Sequence, residues 1–121
     1  MRIAALFLLA LATQVLAADL KELSVLYVGE RGTSRAAAFT RFLQTNVAQF
    51  EISARKTFDT SNARRFDVVL LDWPQSETVR QEWEQGRAPL SDRDKWQKPT
   101  VLLGSAGLNL AVVWKVRGGS G

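Results

Sequence analysis

Three short segments bring together small, hydroxyl-bearing and acidic residues of the kind that chemistry or ligand binding needs. They are Gly29-Glu30-Arg31-Gly32-Thr33-Ser34, Asp72-Trp73-Pro74-Gln75 and Gly104-Ser105-Ala106-Gly107. In the first, Gly32, Thr33 and Ser34 precede a helical pattern, so free backbone N–H groups and the helix dipole would favour an anion there. The segment lacks the Gly-Lys-Ser/Thr ending of a P-loop and the three-glycine dinucleotide fingerprint, and an ordinary capped turn explains it as well. Asp72 ends an apolar run, where a carboxylate needs either a partner or solvent, and a capping or turn role before Trp73-Pro74 is the plainer reading. Ser105 has the chemistry of a nucleophile, but a Gly-x-Ser-x-Gly elbow would need glycine where Leu103 stands.

The chain has no histidine and no cysteine. This excludes a disulfide framework, a zinc site of the usual Cys/His kind, a cysteine nucleophile and a Ser-His-Asp triad within these residues. No catalytic residue, metal ligand or cofactor is therefore assigned. The candidate ligand contacts are Glu30, Gly32, Thr33, Ser34, Asp72, Gly104 and Ser105. Backbone N–H groups, a serine hydroxyl and a carboxylate together suit a polar, hydroxyl-bearing small molecule better than a polyanion, because Asp72 and Glu30 would oppose phosphate.

These segments follow runs that read as strands. Leu23 to Val28 is apolar, rich in β-formers and closed by Gly29; Val68-Val69-Leu70-Leu71 is the most strand-like run; Pro99 to Leu103 is near-continuously apolar. Phe50 to Ala54 alternates as a shorter strand. Thr33 or Ser34 can cap a helix with Ala36, Ala37, Phe39, Thr40, Phe42, Leu43 and Val47 on its apolar face. Ser61-Asn62-Ala63 allows one helical turn, and Ser76 can cap a polar helix ending at Gly86. Trp96 is expected to pack inward from a polar stretch. Periodicity leaves residues 108–116 open between helix and strand.

Strands apolar on both faces, separated by helices, predict an α/β fold: a three-layer, flavodoxin-like parallel sheet covered by helices on both faces. Its three functional segments then share the carboxyl edge, where such sheets bind ligands. Val69, Leu71 and Leu102 are expected in central strands and nearly fully buried. Only four strands are visible where five or more are usual, so residues 18–121 read as the N-terminal part of a larger domain.

The charge of +4, with 46% hydrophobic and 23% charged residues, is that of an ordinary globular domain. Basic residues are scattered among acidic ones, with Arg55-Lys56 and Arg64-Arg65 the adjacent basic pairs, which argues against a nucleic-acid partner. A polar small molecule or another protein remains the expected partner.

Two resemblances bear on function. Phe66 to Trp73 resembles the strand that carries the phosphoacceptor aspartate of response-regulator receiver domains, and Pro99 to Ala106 resembles their later strand ending in Ser/Thr-Ala. Receivers hold magnesium with an acidic pair after the first strand, where this chain has Gly29-Glu30-Arg31, so this resemblance ranks second. The order of first strand, small-residue loop, Phe-Asp-Val-Val-Leu-Leu-Asp strand and Lys98 to Asn109 looks like class I glutamine amidotransferase-like domains, including secreted ThuA-like relatives. In active amidotransferases the last segment presents a cysteine between glycines, with His and Glu farther along; here Ser105 or Ala106 occupies that turn. The resemblance implies the fold without the activity, that is, a non-catalytic binding or interaction module. A hydrolase of the same fold with catalytic residues beyond 121, and a receiver-like domain using Asp72, are the alternatives.

Arg2, the apolar run Ile3 to Leu16 and the small residues around Ala17-Ala18 describe a secretory signal peptide over residues 1–17. The run is too short to serve as a comfortable membrane span, so no stable anchor is expected and the mature domain is secreted or periplasmic. Protein recovered from outside the cytoplasm should begin at Ala18 on N-terminal sequencing; an intact Met1 confined to the cytoplasmic fraction would contradict the leader.

Overall fold

The computed structural model describes residues 19–74, 90 and 93–115. Its elements run β1 (Ser24–Gly29), α1 (Ser34–Asn46), β2 (Gln49–Ala54), β3 (Val68–Trp73), β4 (Thr100–Gly104) and α2 (Ala106–Val113), with short 3-10 turns between them. The four strands form one sheet in the order β2-β1-β3-β4, and every pairing is parallel. This is the small α/β architecture that the strand patterns predict. β1 and β3, the two most continuously apolar runs, occupy the centre, with Tyr27 opposite Leu70 and Val28 opposite Leu71.

Because side chains alternate across a parallel strand, the sheet has two packed faces. On one, Val25 and Tyr27 meet Ala36 and Leu43 of α1, with Phe39, Val47, Phe50, Ile52 and Leu70 packed around them. On the other, Leu26, Val28, Val69, Leu71 and Trp73 meet Ala63, Phe66, Leu90, Ala106 and Leu110. Helical residues thus cover both faces, and β1 and β3 contribute to both cores.

Local chemistry sets the element ends. The Thr33 side chain accepts the Ala36 N–H at 3.1 Å and caps α1. Its hydroxyl also donates to the Glu30 carbonyl, closing the turn after β1. At the opposite edge, the Asp67 carboxylate accepts both the Ser24 N–H and the Ser24 hydroxyl, joining the starts of β1 and β3. These two hydrogen bonds hold the Asp67 carboxyl below the usual carboxylate range. Ser61 to Ala63 lie in a 3-10 turn, Thr60–Arg65, and the indole of Trp96 packs against the second core while donating to Thr100.

Three sequence expectations are corrected or resolved. Leu102 is 43% exposed and its neighbour Val101 46%, whereas Val69 and Leu71 are fully buried. The cause is position: among the described residues β4 pairs with β3 alone, so it lies at the sheet edge and an apolar run there is only half covered. The stretch 108–116 is helical as far as Val113, in α2. Phe42, placed on the apolar side of α1, is exposed. The helix expected from Ser76 to Gly86 lies outside the described residues.

This difference in position gives a direct test. Leu71→Ala should cost about 2 to 5 kcal/mol by urea denaturation, through lost burial and an unfilled cavity, while Leu102→Ala should cost no more than about 1.5 kcal/mol because nearly half of its side chain already meets water.

Candidate functional site at the carboxyl edge of the sheet

All strands run the same way, so the segments after β1, β3 and β4 emerge along one edge. Glu30, Gly32, Thr33 and Ser34 join β1 to α1, Asp72 is the penultimate residue of β3, and Gly104 and Ser105 join β4 to α2. Hydrogen bonds tie these segments together. The Ser105 N–H donates to the Trp73 carbonyl at 2.7 Å, and its hydroxyl donates to the same carbonyl at 3.1 Å. Gly104 makes this closeness feasible: its φ is +62°, and a Cβ there would lie 2.1 Å from the Trp73 carbonyl oxygen. The turn after β4 is built to seat Ser105 on the end of β3, which commits the Ser105 hydroxyl to backbone acceptors.

Asp72 sits at the centre of this edge and is 1% exposed. Its carboxylate accepts the Tyr27 hydroxyl at 2.5 Å and the Arg35 Nε–H at 2.7 and 2.9 Å. Tyr27 comes from β1 and Arg35 from the first turn of α1, so one buried carboxylate ties the first strand, the first helix and the third strand. The Tyr27 ring stacks on Phe39 with centroids 5.0 Å apart, and the Arg35 guanidinium lies 5.7 Å over the same Phe39 ring. Gly29 leaves room for the tyrosine: a Cβ there would lie 2.6 to 2.7 Å from the end of the Tyr27 ring and its hydroxyl.

The electrostatics follow from this packing. Burial raises the Tyr27 phenol well above its ordinary range; the hydrogen bond to Asp72 and the charge of Asp72 push it the same way, and Arg35 pulls back. The hydrogen bond and charge of Asp72 in turn hold Arg35 still more firmly protonated. The Arg35 side chain is 49% exposed, so among the described residues the buried carboxylate is linked to solvent through a half-exposed guanidinium.

The two residues that matter most here, Tyr27 and Arg35, were not among the candidates read from sequence. Each carried a signal. A tyrosine in an otherwise aliphatic buried strand needs a partner for its hydroxyl, and an arginine in a helix's first turn opposes the helix dipole unless an acid holds it. Glu30 is exposed and Ser34 is exposed, beside Arg31, whose guanidinium donates to the Ile52 carbonyl of β2. Arg31, Gly32, Thr33 and Ser34, with Ala36, Thr40 and Ile52 behind them, line an open cavity of about 550 Å³. No group of three or more acidic side chains able to hold a metal ion occurs among the described residues.

Strand order β2-β1-β3-β4 with the chain reversing direction of travel between β1 and β3 defines a small flavodoxin-like α/β protein, and the Tyr27–Asp72–Arg35 cluster lies at that topological switch point. No protein-family model, curated protein or solved structure matches the chain.

Tyr27 is the single tyrosine of the sequence, so its ionisation can be followed directly. Its folded pKa lies above the unfolded value of about 10, so the folded state keeps the proton that the unfolded state loses. Stability from this group is complete below about pH 10 and drains away as pH climbs from there towards the folded value. The near-ultraviolet tyrosinate band should therefore be absent from the folded protein past the ordinary tyrosine range and appear together with unfolding. Tyr27→Phe should lower stability at neutral pH by about 1.5 to 3 kcal/mol, by depriving a buried carboxylate of a donor.

Proposed function

We propose that the chain is a non-catalytic α/β binding module of the glutamine amidotransferase-like, ThuA-like type, working outside the cytoplasm, with a polar, hydroxyl-bearing small molecule as its ligand. The observation that carries this reading is the enclosure of Asp72. A carboxylate that is to act as nucleophile, general base or phosphoacceptor must reach the reacting atom, and this one is buried with its oxygens engaged by Tyr27 and Arg35. Ser105 likewise donates to the Trp73 carbonyl instead of facing a base, and the chain contains no histidine to serve as one.

Among the described residues, the turn from Arg31 to Ser34 offers an open polar surface beside a cavity of about 550 Å³, a size that suits a small molecule. A ligand seated there meets the Thr33 and Ser34 backbone and the Arg31 guanidinium. The hydroxyl acceptor role assigned to Asp72 is filled within the chain by Tyr27, so Asp72 makes no direct contact with the ligand in this reading.

The test combines turnover with binding. The protein should leave glutamine, ester and acyl-phosphate substrates unchanged, and a panel of polyols and hydroxy acids should contain members that raise its melting temperature. Arg31→Ala should weaken such binding at least tenfold with little change in the unliganded melting point. Turnover that disappears in Ser105→Ala or Asp72→Asn would refute the non-catalytic reading.

A further inference from the structure

The cavity beside the Arg31–Ser34 turn has a floor as well as a rim, and the two differ in chemistry. Ala36, Ala37 and Thr40 on one flank of α1, with Ile52 of β2, form the floor. Side-chain size is divided unevenly around the helix. Phe39 and Leu43 pack with Tyr27 in the first core, whereas the flank that lines the cavity carries two alanines and a threonine. Residues this short leave open a space of about 550 Å³, and Ile52, itself packed against the core, holds its far side in place.

The polar atoms of the lining are largely used up within the chain. Its polar side chains are Arg31, Thr33, Ser34 and Thr40. The Thr33 hydroxyl donates to the Glu30 carbonyl and accepts the Ala36 N–H. The Thr40 hydroxyl donates to the Ala36 carbonyl at 2.8 Å, and the Arg31 guanidinium donates to the Ile52 carbonyl. The Ala37 N–H is taken by the Thr33 carbonyl. A ligand with hydroxyls on every side would therefore set several of them against the floor, where each loses water and gains no partner. A hydrocarbon surface suffers no such loss there and gains from burial. At the rim one polar end suffices, met by the Ser34 hydroxyl and by further N–H groups of Arg31, since a guanidinium carries five.

We infer that this cavity selects an amphipathic hydroxy compound, with an aryl or branched-alkyl body on Ala36, Ala37, Thr40 and Ile52 and a single hydroxyl-bearing end at Arg31 and Ser34. The inference rests on the reading of this surface as a small-molecule site and narrows it, setting sugars and other polyols behind. Selectivity comes from the apolar floor. It requires no excess positive charge at the rim, where Glu30 stands beside Arg31.

The test titrates the isotope-labelled full chain with two matched pairs of probes: 2-phenylethanol against sorbitol, and mandelate against tartrate. The aryl member of each pair should give saturable shifts at the Ile52 methyl groups and the Ala37 amide and bind at least tenfold tighter than its counterpart. Ala37 is exposed, and leucine is a good helix former, so Ala37→Leu should fill the cavity with an unchanged urea midpoint and lose at least tenfold in affinity for 2-phenylethanol. If that variant does not fold, Ala37→Gln should give the same loss. Sorbitol or tartrate binding as tightly as its aryl partner, with Arg31→Ala weakening it, would overturn this inference and leave the small-molecule reading standing. Aryl binding that both Ala37 variants leave unchanged would also overturn it, by placing the body elsewhere. If no probe of either kind shifts the amides from Arg31 to Ser34, the small-molecule reading falls, and this inference with it.

Discussion

A carboxylate buried in the middle of a parallel sheet sets the conditions for the rest of this molecule. Asp72 stands on β3 at the point where the sheet switches direction, with 1% of its surface in water. An isolated charge in that position would cost several kcal/mol after relaxation, far more than any one neighbouring apolar contact returns. The fold meets the cost with donors from two other elements, the Tyr27 hydroxyl and the Arg35 guanidinium. Each donor then imposes a requirement of its own. Tyr27 must lie along β1 where Gly29 leaves space, and Arg35 must sit in the first turn of α1, which fixes how the Thr33-capped helix leaves the sheet.

The same arrangement explains why a common ligand position is closed here on the α1 side. Doubly wound sheets bind ligands in the crevice at the switch point because neighbouring connections part there and leave room. In this chain the gap between β1 and β3 is bridged by a tyrosine, a carboxylate and an arginine, backed by Phe39. The neighbouring gap, between β3 and β4, is closed by backbone: Gly104 brings the turn against Trp73, and Ser105 is bonded into it. Among the described residues, an open cavity along this edge lies towards β2, beside Arg31 and Ile52.

The sequence made the central strands legible because β1 and β3 are covered on both faces, and continuous apolarity then reports position directly. It also made the α1 cap legible, since Thr33 precedes the apolar pattern at the right distance. The same logic misplaced Leu102. Val101-Leu102-Leu103 is as apolar as a central strand, but apolarity in a strand does not say how many neighbours that strand will have, and β4 lies outermost among the described residues. Residues 108–116 were ambiguous for a different reason, because a run that short satisfies both periods. Asp72 was recognisable as a residue in need of a partner, yet the partners lie 45 and 37 positions away and depend on the crossover geometry that brings α1 over β1.

The two ends of the sheet also differ in how their charge is used, and that difference follows from topology. At the carboxyl edge the central acid is buried, so its arginine is drawn inward and half of the cation's reach is spent on the fold. At the amino edge Asp59 and Asp67 are exposed and satisfied by short local or strand-joining hydrogen bonds, which need no cation. Among the described residues the amino edge has no buried acid that needs a cation as Asp72 does. A cation that balances an interior charge is structural first, and Arg35, half-exposed beside a buried carboxylate, is such a cation.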